Sequence, residues 1–561
     1  MRRCGACFAL IKPGPGHSAE RCKSSVVTLE NLESALPLDL RMKMALKTIK
    51  EVVGDSGDTS VKLPCQSGGH HATIHIGPLP SYSMSPMPTL TVEECISIKV
   101  QADLSDNQLL IILKNLRIKF GFNAVEAHVR DMLTDGKLRF SSYFTGRRTW
   151  FHTTGKDMVK VERPFVWCHN ILGLLSLLAL LRDQEPKDLL QKVGVDNGKG
   201  HLQMIITLYC PDLLYRYFPA RNRATRDDGI RDKHRSEMGV GKVIIIAIAP
   251  KVSESWLNVD IFFEATEIKK IVFSFTGDLK MIHICCGIGT SSSRHRCPYC
   301  EIANVKGQWG VFSPTGEFIK DAEARLRTYS QDLEHFQGFC EGGSKNAMSY
   351  MNVIALPLIG EDRPDEPTLL VTPPPQLHLF LLVNHILQGL LKEWPDLENW
   401  LAKKSLVFAP YHGTTLEGNE CSRLLTYLDE LDSVVPGHLR QFVKVLERFQ
   451  LVVNSCFRYT VLPSYKDDIR KMRSAYRVLE EHFGISISNK LHIVFSHVET
   501  FLDLTGKGLG EFGEQSLETS HSAFAKVWRL FWVKDTDSDR YLERYLKVRS
   551  RSINAYQYQT F

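Results

Sequence analysis

The sequence predicts an α/β protein. A strand-rich core is split by a long helical insertion and preceded by a helical N-terminal region. Three observations carry that expectation. LLQKVGVDNGKGHLQMIITLYC (189–210) reads as a strand, a tight Asn-Gly turn and a second strand. KIVFSFTGD (270–278) reads as a buried strand leading into an acid, Asp278. From Cys300 to Gly484 apolar residues recur at helical spacing, for example in LHLFLLVNHILQGLLKEW, HLRQFVKVLERFQLVVNS and DDIRKMRSAYRVLEEHF.

Composition sets the bounds. A chain of 561 residues has room for roughly three or four domains. It is 43% hydrophobic and 24% charged, an ordinary globular balance with ample core-forming material. Its net charge of +6 is compatible with nucleic acid, although a solvated surface explains it as well. The start, MRRCGACFALIKPGPGH, has no apolar run of signal-peptide length. The longest apolar runs, 171–181 and 377–391, are too short or too interrupted by His and Asn to span a bilayer. A soluble protein with no membrane partner is expected. Fourteen cysteines in so long a chain, four of them in two CxxC pairs, suit reduced thiols and metal better than disulfides. The expected location is nuclear.

Taken in order, residues 1–60 hold Cys4, Cys7, His17 and Cys22, in the spacing C-x2-C-x9-H-x4-C around a PGPG turn. Such a set suits a closed tetrahedral zinc, followed by a helix; the alternative is four unrelated residues at a chain end. Residues 61–89 are rich in Gly, Ser and His and read as a linker. Residues 90–185 read as mostly helical, a DNA-binding or dimerisation region. There Lys114, Arg117, Lys119 and Phe120 form a small basic-aromatic patch; a solvated helix face is its plain reading. Residues 186–290 form the first part of the core, with a further buried strand in VIIIAIAP from Val243. A short irregular stretch is expected after Asp278. Residues 291–500 form the insertion, all-helical and broken by the Pro-rich VTPPPQLH. Residues 501–561 hold a last helix and a tail. On that helix Glu514, Glu518, His521 and Ala525 share a face.

Two sites follow from the residue types. Cys297 and Cys300 form a CxxC pair shortly after Asp278, and His492 and His497 lie shortly before Glu518. A Cys2His2 zinc built from them would be closed and structural. It would pin the ends of the insertion together and bring the helix of Glu518 back to the strand of Asp278. Two histidines at i and i+5 do not share one face of a regular helix, so one is expected at a helix start or in a distorted turn. Separately, Asp196 and Asp278 at strand ends and Glu518 on a late helix supply hard oxygen ligands from rigid elements. That is what two Mg2+ or Mn2+ ions need to drive phosphoryl transfer, the logic of an RNase H-like nuclease or transposase core.

The motifs also carry a family resemblance. Asp278, CPYC (297–300), LHIVFSH (491–497) and GEQSLETSHSAF (513–524) resemble the DDE transposases related to the catalytic subunit of the V(D)J recombinase and to the Transib-type transposases. The match runs roughly over residues 193–531, and VTPPPQLHLFLLVNHIL and LEGNECSRLL look like segments of that family's insertion. The resemblance implies an RNase H-like core and a cut-and-paste reaction on transposon ends and target DNA, by a homodimer. It matches Asp196, Asp278 and Glu518 to the catalytic acids. Glu518 is preferred to Glu514 because Phe524 falls at the family's distance. It offers Glu254 as a further acid, places His378 near the active site, and matches Cys297, Cys300, His492 and His497 to zinc. Asn197 stands where the family has glycine, and the N-terminal Cys/His set differs from the family's RING finger. Two other readings are a transposon-derived protein that binds zinc and DNA without catalysis, and a plain nuclease that does not pair DNA ends.

Overall fold

The computed structural model describes residues 2–3, 10–11, 58–64, 71–77, 108–114, 142–153, 159–181, 184–211, 243–289, 293–320, 322–342, 346–408, 415–531 and 540–545. Cys4, Cys7, His17 and Cys22 lie outside them, as do Arg117, Lys119 and Phe120. The described chain is mixed α/β, with a mixed sheet and a largely helical C-terminal half.

Strand pairs stand where no strands are expected, beginning with a two-residue antiparallel pair between 2–3 and 10–11. β1 (Asp58–Pro64) pairs antiparallel with β2 (His71–Gly77), across the start of the expected linker 61–89. HATIHIG alternates polar and apolar residues, a strand signal that its Gly/Ser/His-rich surroundings conceal. The expected helical region 90–185 is helical over 108–114 and in α1 (Ile171–Leu181). Between them it forms β3 (Phe144–His152) and β4 (Lys160–Cys168), a nine-residue hairpin at the edge of the main sheet. Its arginines and lysine conceal the alternation, and charge on an edge strand is how sheets avoid pairing with other chains.

The core strands are β5 (Leu190–Gly198), β6 (His201–Tyr209), β7 (Val243–Pro250) and β8 (Ser274–Thr276). The six-stranded order is β8-β5-β6-β7-β4-β3. β8 runs parallel to β5 and the other neighbours are antiparallel. The β5–β6 hairpin closes one dipeptide later than the sequence suggests. Asn197 and Gly198 are still paired in the ladder, and the turn is Lys199-Gly200, at φ 54° and 80°. Positive φ at both turn positions is the geometry whose twist suits a two-residue hairpin.

Helices cover both faces of this sheet. β6 is buried along its whole length. Leu202, Met204, Ile206 and Leu208 pack with Val193, Val195, Ile246 and with Phe262 and Phe263 of α2 (Trp256–Thr266). Ile205, Ile245 and Ile248 face the other way, onto Leu517, Phe524 and Trp528 of the last long helix, Gln515–Phe531, and onto Tyr541 and Tyr545. After β8 the expected irregular stretch is instead helix α3 (Leu279–Cys285), started by Asp278 as its N-cap.

The helical C-terminal region has a core of its own, built on α4 (Leu382–Glu393), α5 (Arg440–Cys456) and α6 (Tyr465–Phe483). Residues 291–500, expected to be all-helical, are not so throughout. β9 (Ala303–Val305), β10 (Gln308–Phe312) and β11 (Phe318–Lys320) form a small antiparallel sheet. Its first turn is again a Lys-Gly pair, Lys306-Gly307, at φ 51° and 80°. Among the described residues no helix is long and apolar enough to cross a membrane.

Candidate metal centre and candidate active site

Cys297 and Cys300 sit on a knuckle just ahead of β9. The histidines come from α7 (Asn489–Ile493) and from a π-helical turn, Val494–Val498, that joins it to α8 (Glu499–Thr505). The π turn is the distortion the i, i+5 spacing requires. Its wider winding brings His492 and His497 to one point, and such turns recur at functional sites.

The four ligand atoms all lie within 4.8 Å of one another, and all four residues are buried. Cys297 Sγ is 3.2 Å from His497 Nε2, Cys300 Sγ is 3.4 Å from His492 Nε2, and the two Nε2 atoms are 3.1 Å apart. Tetrahedral zinc, with Zn–S of ~2.3 Å and Zn–N of ~2.0–2.1 Å, sets such atoms about 3.3–3.6 Å apart. The donor set and its spacing fit a metal such as zinc. Burial lowers the His492 pKa and so favours the neutral imidazole that a metal ligand must be. Each histidine ring is clamped by an aromatic: Trp309 stacks on His492 with ring centres 4.1 Å apart, and Tyr299 meets His497 edge-on at 5.5 Å.

Arg327 braces the knuckle and had no signal in the sequence. It is fully buried. Its Nε donates to the carbonyls of Cys297 (3.0 Å) and Cys300 (3.1 Å), and its Nη2 to that of Met351 (2.7 Å). Its charge is met by buried Asp332 at 2.8 Å. Arg327→Leu strands that carboxylate and two knuckle carbonyls, so a destabilisation of about 3–5 kcal/mol is expected. Denaturant unfolding of the zinc-loaded protein checks it, and a change below about 1 kcal/mol would rule the bracing role out.

The acids come from the sheet. β8 pairs with β5 through Ser274↔Lys192, Phe275↔Val193 and Thr276↔Gly194. Carried two residues further, that register sets Asp278 level with Asp196. Adjacent strands lie about 4.8 Å apart. Gly194 permits the approach, since a Cβ there would sit 3.0 Å from the Thr276 carbonyl oxygen. Glu254 is held close by: its Oε1 accepts from Asn197 N at 3.1 Å and its Oε2 pairs with Lys280. Asn197 earns its place through its side chain, which donates to the Val252 carbonyl at 2.9 Å.

The last helix, α9 (Gln515–Phe531), brings Glu518 to the same end of β5. Its start is gripped by the sheet. Lys192 Nζ donates to Gly513 O at 2.9 Å, and Thr276 Oγ1 donates to Phe512 O at 3.0 Å. Electrostatics register how near the acids are. The Glu518 carboxyl is pushed up by burial and then by Asp196 and Asp278, with His521 and Lys199 opposing. The Glu254 carboxyl is likewise raised by burial, against Lys280, with Asp278 and Asp196 adding to the rise. His378 lies within the same field: burial lowers its pKa while Asp278 and Asp196 pull it up. The sequence therefore brings Asp196, Asp278, Glu254, Glu518 and His378 into one neighbourhood. It does not close the carboxylates to a common contact. Among the described residues the Cys2His2 set is the one group of three or more potential metal ligands gathered within 4.8 Å.

Glu514 plays a different part from Glu518. It lies ahead of α9, buried, and its Oε1 accepts from the backbone N of His378 at 2.9 Å. Burial raises its pKa to about 7, and burial lowers that of neighbouring Lys192 to about 8. A carboxyl that titrates at about 7 when folded and near 4.5 when unfolded holds more protons in the native state between those values. Its contribution to stability is therefore present at low pH and is lost as pH rises through that window. Glu514→Gln is expected to flatten the fall in stability between pH 4.5 and 7. Unfolding midpoints across that range test this, and an unchanged slope would contradict it.

The chain matches no protein-family model, and no curated protein matches it.

Proposed function

We propose that the protein is a DDE-type transposase or recombinase, a metal-dependent enzyme that cleaves DNA strands and transfers them at transposon ends. The observation that carries this reading is the parallel pairing of β8 with β5, which leaves Asp278 two residues past the last paired residue of β8 and Asp196 near the end of β5, with both acids acting on Glu518. The topology supports it. Three antiparallel strands in sequence, then a helical crossover to a strand parallel to the first, is the arrangement of an RNase H-like core. The Cys2His2 centre supports it too, because it stands where the resemblance requires a zinc-pinned insertion.

Asp196, Asp278 and Glu518 would hold two divalent ions, with Glu254 beside them. Their all-oxygen donors suit Mg2+ or Mn2+. Burial raises both glutamate pKa values and Asp196 and Asp278 add to the rise, a crowding of like charge that a cation would relieve. When bound, the ions would activate the attacking oxygen and stabilise the leaving one. The chain's own part is to fix the acids on a sheet and one helix, and to shelter them with α2, α3 and the His378 segment. Lys and Arg contacts to phosphate would make DNA affinity salt-dependent. Pairing of two DNA ends calls for a homodimer, and the substrate places the protein in the nucleus.

A second reading, a catalytically inactive protein that binds zinc and DNA, draws on one observation. Glu254 is already paired with Lys280, and the acids do not meet at a common point. Cleavage of nicked or branched DNA with Mn2+, wild type against Asp278→Asn, separates the two. Product from the wild type alone supports the enzyme. Product from neither, with protein folded and zinc bound, favours the inactive reading.

A further inference from the structure

We infer that His521 is a positioning residue that orients Asp196 for cation binding, an inference that rests on the reading of Asp196 as a metal-binding carboxylate. His521 Nε2 lies 3.0 Å from Asp196 Oδ2. The ring is buried, and the Asp196 side chain is 17% exposed. The ring lies flat against the backbone of β5: a Cβ on Gly198 would stand 2.4 Å from its Cγ and 2.5 Å from its Cδ2. No other side chain than glycine leaves that space.

The bland alternative is a core histidine satisfied by whatever lies near. Its hydrogen bonds argue against that. Nδ1 is buried with no partner among the described residues, so the ring's one polar engagement there is with Asp196. A buried ring nitrogen left unmatched costs about 1–3 kcal/mol, a cost that apolar packing would avoid. The helix is fixed in register by other contacts: Ser520 Oγ donates to Gln203 Oε1 at 3.2 Å, and Leu517 and Phe524 pack onto the sheet. His521 is thus not needed to seat α9. Its position one turn past Glu518 gives a Glu-x-x-His pair in which the glutamate stands beside Asp196 and the histidine grips it. With Oδ2 held by Nε2–H, Oδ1 is left to face a cation in a set orientation. Hydrogen bonds of this kind to ligating carboxylates are the outer-shell contacts whose loss costs 10–100-fold in metal affinity.

The test uses the full chain, loaded with zinc, and Mn2+ as the probe. Free Mn2+ is counted by electron paramagnetic resonance without DNA, and the Mn2+ concentration for half-maximal cleavage of nicked DNA is measured beside it. His521→Ala is expected to weaken Mn2+ binding roughly 10–100-fold and to raise the half-maximal concentration to match. His521→Gln, which keeps an N–H donor, is expected to restore most of both. Zinc content should be that of the wild type throughout. If the alanine variant does not fold, His521→Phe against His521→Gln gives the same comparison at similar volume. Wild-type Mn2+ dependence in the alanine or phenylalanine variant, while Asp278→Asn is dead, overturns the inference and leaves the enzyme reading intact. No Mn2+ bound by the wild type and no cleavage overturns both.

Discussion

Cys300→Ser is expected to strip zinc from the insertion and to destabilise the protein by on the order of 4 kcal/mol. The set is closed and buried, so a metal held there would be structural and its loss a loss of folding energy. In isolated zinc-finger peptides that energy is about 10–16 kcal/mol, all of it needed to fold. Here the insertion has a large apolar core around the site, which lowers the dependence without removing it. Once the metal is gone, one thiol, the new hydroxyl and two imidazoles remain in a dry core, where the wild-type ligand atoms lie 3.1–3.4 Å from one another. His492→Ala and His497→Ala should behave alike, because each removes one of the four ligands that close the set. Elemental analysis and denaturant unfolding read the outcome. A Cys300→Ser protein with the zinc content and midpoint of the wild type would mean that the four residues hold no metal.

Asp278→Asn is expected to abolish Mn2+-dependent DNA cleavage, by more than the roughly 10–100-fold that outer-shell changes cost. The substitution is a clean one. Asp278 also caps α3, its Oδ1 accepting from Met281 N at 2.6 Å, and asparagine caps a helix as well as aspartate does. The helix should stay, and only the charge goes. Asp196→Asn and Glu518→Gln should match it. Glu254→Gln should cost less, about 10-fold, because Lys280 already neutralises that carboxylate. Wild-type cleavage in Asp278→Asn would remove Asp278 from the site, and with it the two-metal reading. Equal losses in all four variants would instead show that Glu254 is a ligand of the same rank.

The sequence made the metal centre legible because its ligands are rare residue types at restrictive spacings. Even the distortion between His492 and His497 followed from arithmetic. Asp278 was legible as an acid just past a strand, but Asp196 lies within β5 because the hairpin closes one dipeptide later than Asn-Gly suggests, and the pairing of β5 with β8 is set across an intervening hairpin and helix. The β3–β4 hairpin escaped because Arg147 and Arg148 interrupt the apolar alternation of the edge strand β3, where charge is tolerated, and Arg163 that of β4. Both Lys-Gly turns escaped because the lysine in each takes a positive φ that Asn or Gly more often supplies. Arg327 and His521 act through partners remote in sequence, Arg327 on Cys297 and His521 on Asp196, and no local pattern announces such contacts.

The clasp formed by Cys297, Cys300, His492 and His497 has a consequence for how the chain can change over evolutionary time. It brings together residues 192 positions apart in the sequence at one pair of ligands. For a flexible closed loop, doubling the length adds only about 0.6 kcal/mol to the entropy of closure. Added length beyond the clasp therefore costs little in closure, while Val353, Leu358, Ile359 and Val371 stay committed to the core of the sheet. Change is cheap in the parts of the span that do not touch the sheet, and α9 is delivered to β5 in the same place each time.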